Sequence, residues 1–213
     1  MPILHDMRIL IHTVGNADVG STSGGNLVAR CAALRAMPRQ DAAEKLQQSA
    51  PAESGGDPRP TPLVAVLDRE KGTTDYDRIL LIVSIPQDEN DTEFTSDLGP
   101  IIKEHLSEEW TYGRTLPADA VELLEIKAPL SSETRPLLGG WISGSAGAGH
   151  PLPDVDVSFI RGSNGAGLGL ITAAIEAGTP PTVILPADER LDLSRQIPTP
   201  ESRQICEPLK EIR

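Results

Sequence analysis

One stretch of the chain gathers residues able to grip an anion: Arg161-Gly162-Ser163-Asn164-Gly165-Ala166-Gly167, running on to Gly169. It follows the apolar run Val155–Ile160 and precedes Leu168, Ile171 and Ile175 at helical spacing, which makes it a turn between a strand and a helix. The first N–H groups of a helix have no intrahelical acceptors and carry the positive end of its dipole, so such a turn accepts an anion. Arg161 can fork onto a phosphate, and Ser163 and Asn164 add donors at the same rim. The glycines let backbone approach a ligand; the alternative, that they only permit close helix–sheet packing, stays open. The spacing is neither a Walker A motif nor GxGxxG, because Gly165, Gly167 and Gly169 recur every second residue.

A second polar turn, Thr13-Val14-Gly15-Asn16-Ala17-Asp18, closes the apolar run Met7–Val14. In a parallel sheet both turns leave from the same edge and converge there. Asn16 and Asp18 also suit an Asx-turn or a helix cap, and Asp18 would repel a phosphate. Other chemistry is poorly represented. His5, His12, His105 and His150 lack ligand spacing and read as surface or packing histidines, so no metal is expected. Cys31 falls in an amphipathic stretch and reads as a buried thiol, far from Cys206. Glu125-Ile126-Lys127 matches part of a nuclease motif, but without a placed aspartate it reads as a solvated strand face. There is no Gly-x-Ser-x-Gly nucleophile elbow.

The elements that must position these turns alternate. Strands are expected at Met7–Val14, Arg78–Ser84, Val155–Ile160 and Thr182–Leu185, and Val121–Lys127 reads as a strand with a short helix as the alternative. Helices are expected where Leu27, Val28, Cys31, Leu34 and Met37 recur before Pro38, in Thr95–Glu109, and from within or just after the glycine turn up to Gly178. Alternation of this kind predicts an α/β, Rossmann-like, mostly parallel sheet with helices on both faces. Residues 39–62, with Ala50–Pro60 rich in Pro, Gly and Ser, read as a flexible insertion, and Gly139–Pro153 as a loop. The domain is taken as 1–186 and the tail as 187–213.

The chain has 213 residues, enough for one substantial core, and only 3% are aromatic, so that core must be built from Leu, Ile, Val and Ala. A formal charge of −12 argues against a general duplex-binding role, since nonspecific affinity for nucleic acid comes from Lys and Arg. An anionic ligand would need a local site. No apolar run reaches the roughly 20 residues that span a bilayer, and Met1–Asp6 has no basic n-region, so a cytoplasmic protein without a membrane partner is expected.

In their order and spacing, the turn Thr13–Asp18, the run Asp77–Ser84 entered through Tyr76-Asp77-Arg78, the segment Ile126–Ser131 and the late strand–turn–helix Val155–Ala177 resemble the CRISPR-associated Rossmann fold (CARF) family. The resemblance spans roughly residues 7–186. It implies a single CARF-type domain that binds a cyclic oligoadenylate, the messenger of type III CRISPR antiviral defence, across a two-fold homodimer. Thr13, Gly15, Asn16 and Ala17 would then belong to one ligand loop and Arg161, Gly162, Ser163, Asn164 and Gly165 to the other, with Ser84, Leu130 and Ser131 on the rim. Only about 27 residues follow Pro186, without a HEPN-like Arg/His pairing, so the resemblance implies a stand-alone sensor acting on a separate effector protein or domain. The alternative is a ring nuclease that cuts the messenger without metal, Arg161 stabilising charge and Asn16 or Ser163 orienting the ribose hydroxyl. A nucleotide-cofactor enzyme is a third reading; otherwise no cofactor is expected.

Overall fold

Short runs dominated by Ile, Leu and Val, each closed by Gly, Pro or polar residues, become the strands of one sheet. The computed structural model describes residues 7–19, 27–48, 63, 66–67, 76–86, 88, 94–107, 119–127, 134–145, 152–158, 164–184 and 190–192. Strand β1 (Arg8–Thr13) is followed by a 3-10 turn at Asn16–Val19, then α1 (Leu27–Arg35), α2 (Arg39–Gln48) and β2 (Arg78–Ser84). Next come α3 (Leu98–Ser107), β3 (Val121–Ile126), α4 (Thr134–Ser145), β4 (Asp154–Ser158), α5 (Asn164–Glu176), β5 (Thr182–Ile184) and β6 (Arg190–Asp192).

The sheet order is β3-β2-β1-β4-β5-β6, with the first five strands parallel and β6 antiparallel to β5. This is the expected α/β, Rossmann-like architecture. Both faces are covered, as the uninterrupted apolar runs of β1 and β2 require. Leu10, Ile79, Leu81, Val83 and Val121 meet α1, α2 and α3 on one side, whereas Ile9, Ile11, Leu80, Ile82 and Val157 meet α4 and α5 on the other. Strands β2 and β3 follow β1 outward on one side and β4 and β5 on the other, so the order reverses between β1 and β4.

The amino ends of the central strands are tied by a polar cluster. Asp156, buried in β4, accepts from Arg8 Nη2 at 2.6 Å and from the Tyr76 hydroxyl at 2.7 Å. Burial, helped by the charge of Asp156, pushes the Tyr76 hydroxyl well above its ordinary value. Asp77 accepts the Arg8 N–H at 2.7 Å, and Arg78 pairs with Glu122 and lies over the Trp141 ring. Tyr76-Asp77-Arg78 therefore brace the amino ends of β1, β2 and β4.

Several expectations are corrected. Helix α4 occupies part of the stretch read as a loop: Leu138 and Ile142, with Trp141 beside them, bury one stripe against the sheet. That burial outweighs the roughly 1 kcal/mol helix cost of each of Gly139, Gly140 and Gly144. Within the expected insertion, Arg39–Gln48 forms α2, its Ala42 and Ala43 completely buried in the core it shares with α3; residues 49–62 lie outside the described residues. Strand β6 falls in the segment assigned to the tail, adding to the sheet edge through Thr182↔Asp192 to Ile184↔Arg190. Helix α5 begins at Asn164, within the glycine turn as expected, so Gly165, Gly167 and Gly169 stand in its first turns. Its other end matches expectation: Gly178 has φ +85°, and bonds from Gly178 N to Ile175 O and Thr179 N to Ala174 O form a Schellman cap.

Candidate functional site

At the carboxyl edge of the sheet, β1 and β4 end side by side, with Ile11 opposite Val157 and His12 opposite Ser158. A parallel sheet leaves a crevice outside its strand ends where the order reverses, because the two connections there depart to opposite faces. The Thr13–Asp18 turn borders this crevice from β1. From β4 the chain runs through residues 159–163 into the amino end of α5.

The β1 turn is built around Asp18. Its N–H donates to Gly15 O at 2.9 Å, while its Oδ2 accepts the Gly15 N–H at 2.8 Å, a reciprocal pair that closes the 3-10 turn. Oδ1 accepts the Leu63 N–H at 3.0 Å, and Oδ2 also meets His12 Nε2 at 3.1 Å. The other ring nitrogen, Nδ1, lies 3.1 Å from Ser158 Oγ. With the Asp18 carboxylate accepting at every contact, a neutral His12 carries its proton on Nε2 and accepts the Ser158 hydroxyl proton at Nδ1. His12 and Ser158 are almost wholly enclosed, at 1% and 0% exposure, so the row Ser158–His12–Asp18 resembles a catalytic triad in composition but presents no reachable nucleophile.

Three further bonds fix the same turn. Val14 N donates to Ile82 O at 2.9 Å, Arg30 Nε donates to Val19 O at 2.6 Å, and the Thr13 hydroxyl lies 3.5 Å from Ser158 O. Cys31 Sγ sits 4.0 Å from Asn16 O, and burial pushes its thiol above the ordinary value. Asn16 is half-buried, and its Oδ1 is enclosed without a hydrogen-bond partner. That carbonyl is a buried acceptor left without a partner in the turn that borders the crevice.

Ser84 ends β2 on this edge, but its hydroxyl is already engaged. It accepts the Thr95 N–H at 3.1 Å, and Ser84 N donates to Thr95 Oγ1 at 3.0 Å. Thr95 O in turn accepts Leu98 N and Gly99 N, so Ser84 anchors the start of α3.

Of the residues singled out in sequence, the structure thus brings Thr13, Gly15, Asn16 and Ala17 to the crevice from β1, and Ser84 to the same edge. Thr13 is buried, with its hydroxyl toward Ser158 O, and the Gly15 amide is occupied by Asp18. Asn164 and Gly165 form the first turn of α5. Arg161, Gly162, Ser163, Leu130 and Ser131 lie outside the described residues.

His12, read as a surface or packing histidine, is a buried packing one, at the centre of the turn's polar framework, and Ser158 was not singled out at all. A signal was present. His12 and Ser158 share the face of Leu10 and Asp156, a face that two-residue alternation assigns to the interior. Glu125, by contrast, is exposed while Ile126 is buried, as a solvated strand face requires. No protein-family model matches the chain, and no curated protein matches it.

Proposed function

We propose that this chain senses cyclic oligoadenylate in type III CRISPR antiviral defence, holding the ring at the crevice between the ends of β1 and β4. One observation carries the reading: the two turns selected from sequence for anion chemistry follow strands that are parallel neighbours at the point where the sheet order reverses. A nucleotide needs acceptors as well as phosphate donors. The amino end of α5 would supply N–H donors for a phosphate, and Asn16, whose Oδ1 is enclosed without a partner, would supply an acceptor for a ribose hydroxyl or adenine amino group once the β1 turn opens to expose it. Arg161 adds the positive charge that an otherwise acidic chain must concentrate locally. A cyclic ligand with repeated phosphates also suits a homodimer, in which each copy offers the same turns to half of the ring.

The test is calorimetric titration of the purified chain with cyclic tri-, tetra- and hexa-adenylate in EDTA, with chromatography of the ligand afterwards. Saturable binding with intact ring supports the sensor. Linear products would make the chain a ring nuclease. Failure to bind any ring overturns the reading, and a dinucleotide retained through purification would replace it with a cofactor-dependent enzyme.

A further inference from the structure

We infer that His12 is a positioning residue that couples the two sides of the crevice, so that the β1 turn keeps its ligand-ready shape only while β4 is correctly docked. For its bearing on ligand this rests on the function proposed above; the coupling itself does not.

The inference comes from where the bonds of one buried imidazole lead. Nδ1 reaches Ser158 Oγ, the last residue of β4 and the start of the path toward α5. Nε2 reaches Asp18 Oδ2, which also accepts the Gly15 N–H and so closes the β1 turn. Ser158, at the end of β4, and Gly15, in the β1 turn, are thus linked through three hydrogen bonds, one rigid ring and one carboxylate. Only 1% of His12 is exposed, so water cannot replace either partner without opening the core. Asp18 also takes the Leu63 N–H, which brings a third segment onto the same carboxylate. A lost bond at one end is therefore not absorbed locally. It frees the ring to turn, loosens Asp18, and with it the Gly15 amide on the other loop.

The strand pairing alone would not do this. Backbone ladders align β1 and β4 as far as His12↔Ser158; beyond that register the Thr13 hydroxyl makes only a long hydrogen bond, at 3.5 Å from Ser158 O. The imidazole therefore carries the coupling past the end of the ladder.

The experiment uses the full chain with Ser158→Ala, which removes the hydroxyl without touching Gly15 or Asp18, and Ile142→Val, a core truncation on the opposite face of the sheet. Nuclear magnetic resonance follows the Gly15 amide exchange rate and the His12 ring nitrogens in both. Expected for Ser158→Ala is exchange at Gly15 faster by about fivefold, the loss of one buried hydrogen bond, with a displaced His12 Nδ1 resonance. Ile142→Val should leave both unchanged. Unaltered Gly15 exchange in Ser158→Ala, or equal acceleration in Ile142→Val, would overturn the coupling. Affinity for whichever cyclic oligoadenylate binds the wild type should fall by a similar factor in Ser158→Ala alone; unchanged affinity would show that the coupling stops short of the ligand. If the wild type binds no ring, the functional reading fails, and the exchange comparison still decides the role of His12.

Discussion

Asp18 is the residue on which the β1 turn depends, because its carboxylate satisfies the Gly15 and Leu63 amides and the His12 ring together. Asp18→Ala leaves two backbone donors and an imidazole without their acceptor, a loss of about 3–5 kcal/mol by comparison with other buried charged partners. Urea denaturation at pH 7 should show it, and Asp18→Asn, which retains one acceptor, should lose less. Such roles are poorly legible in sequence for a physical reason. His12 and Asp18 lie six residues apart, but the third member, Ser158, lies 146 residues from His12. Alternation marks His12 and Ser158 as facing inward, but only strand register brings them together and names each one's partner. Glycines and an arginine draw attention because they suit a ligand; a histidine whose bonds are all internal does not. Cys31 was readable because its stripe with Leu34 is local, and its buried, raised thiol should react with a disulfide reagent far more slowly than an unfolded control.

At the scale of elements, α3 reports how closely a helix can approach β2. A methyl group added at Gly99 would lie 2.6 Å from Val83 Cγ1 and 3.1 Å from Leu123 Cδ2. Gly99→Ala should therefore destabilise by about 1–3 kcal/mol from overpacking, partly offset by better helix propensity. Val83→Ala removes the obstructing methyl, so the double variant should be more stable than the sum of the single losses, as a denaturation cycle would measure. The same helix carries a pH response. Burial pushes the His105 imidazole below its usual 6.5, outweighing its hydrogen bond to the Ala43 backbone. The unfolded chain takes up this proton first as the pH falls, so the contribution is complete above about pH 6.5 and is lost as the pH drops toward the lowered folded value. His105→Gln should flatten that part of a stability profile. A second, more acidic decline belongs to Glu122. Burial alone would raise its carboxyl, but the Trp141 and Arg78 hydrogen bonds and the Arg78 charge hold it below 4.5, so its contribution is lost as the pH falls below that value. The strands and the first and third helices were legible because their apolar spacing is local. Helix α4 was not, because three glycines mimic a loop and only the sheet behind Leu138 and Ile142 makes the helix worthwhile.

Across the whole molecule, the alternation of strands and helices announced an α/β sheet, but the order of its strands depends on pairings such as Arg8↔Asp154 and Ile9↔Arg78 that no local pattern encodes. That order makes neighbours of β1 and β4, the strands that lead into the two polar turns, on a chain of net charge −12. The combination has a kinetic consequence for the proposed ligand. A protein that recruits polyanions through a broad basic face associates more slowly as salt rises, since screening removes the steering. Here the net charge of −12 makes the distant field repulsive to a polyanion, and in the proposed site attraction would be confined to a few groups within the crevice. Raising the salt from about 0.01 M to 0.1 M shortens the screening length from roughly 30 Å to 10 Å, which suppresses the repulsion while leaving contacts of a few ångströms in force. Association of cyclic oligoadenylate, followed by stopped-flow fluorescence, should therefore accelerate over this range by up to about threefold, with little change in the dissociation rate. A tenfold fall in the association rate would mean that extended basic steering governs capture, and the ligand would then have to meet the molecule somewhere other than a local crevice between β1 and β4.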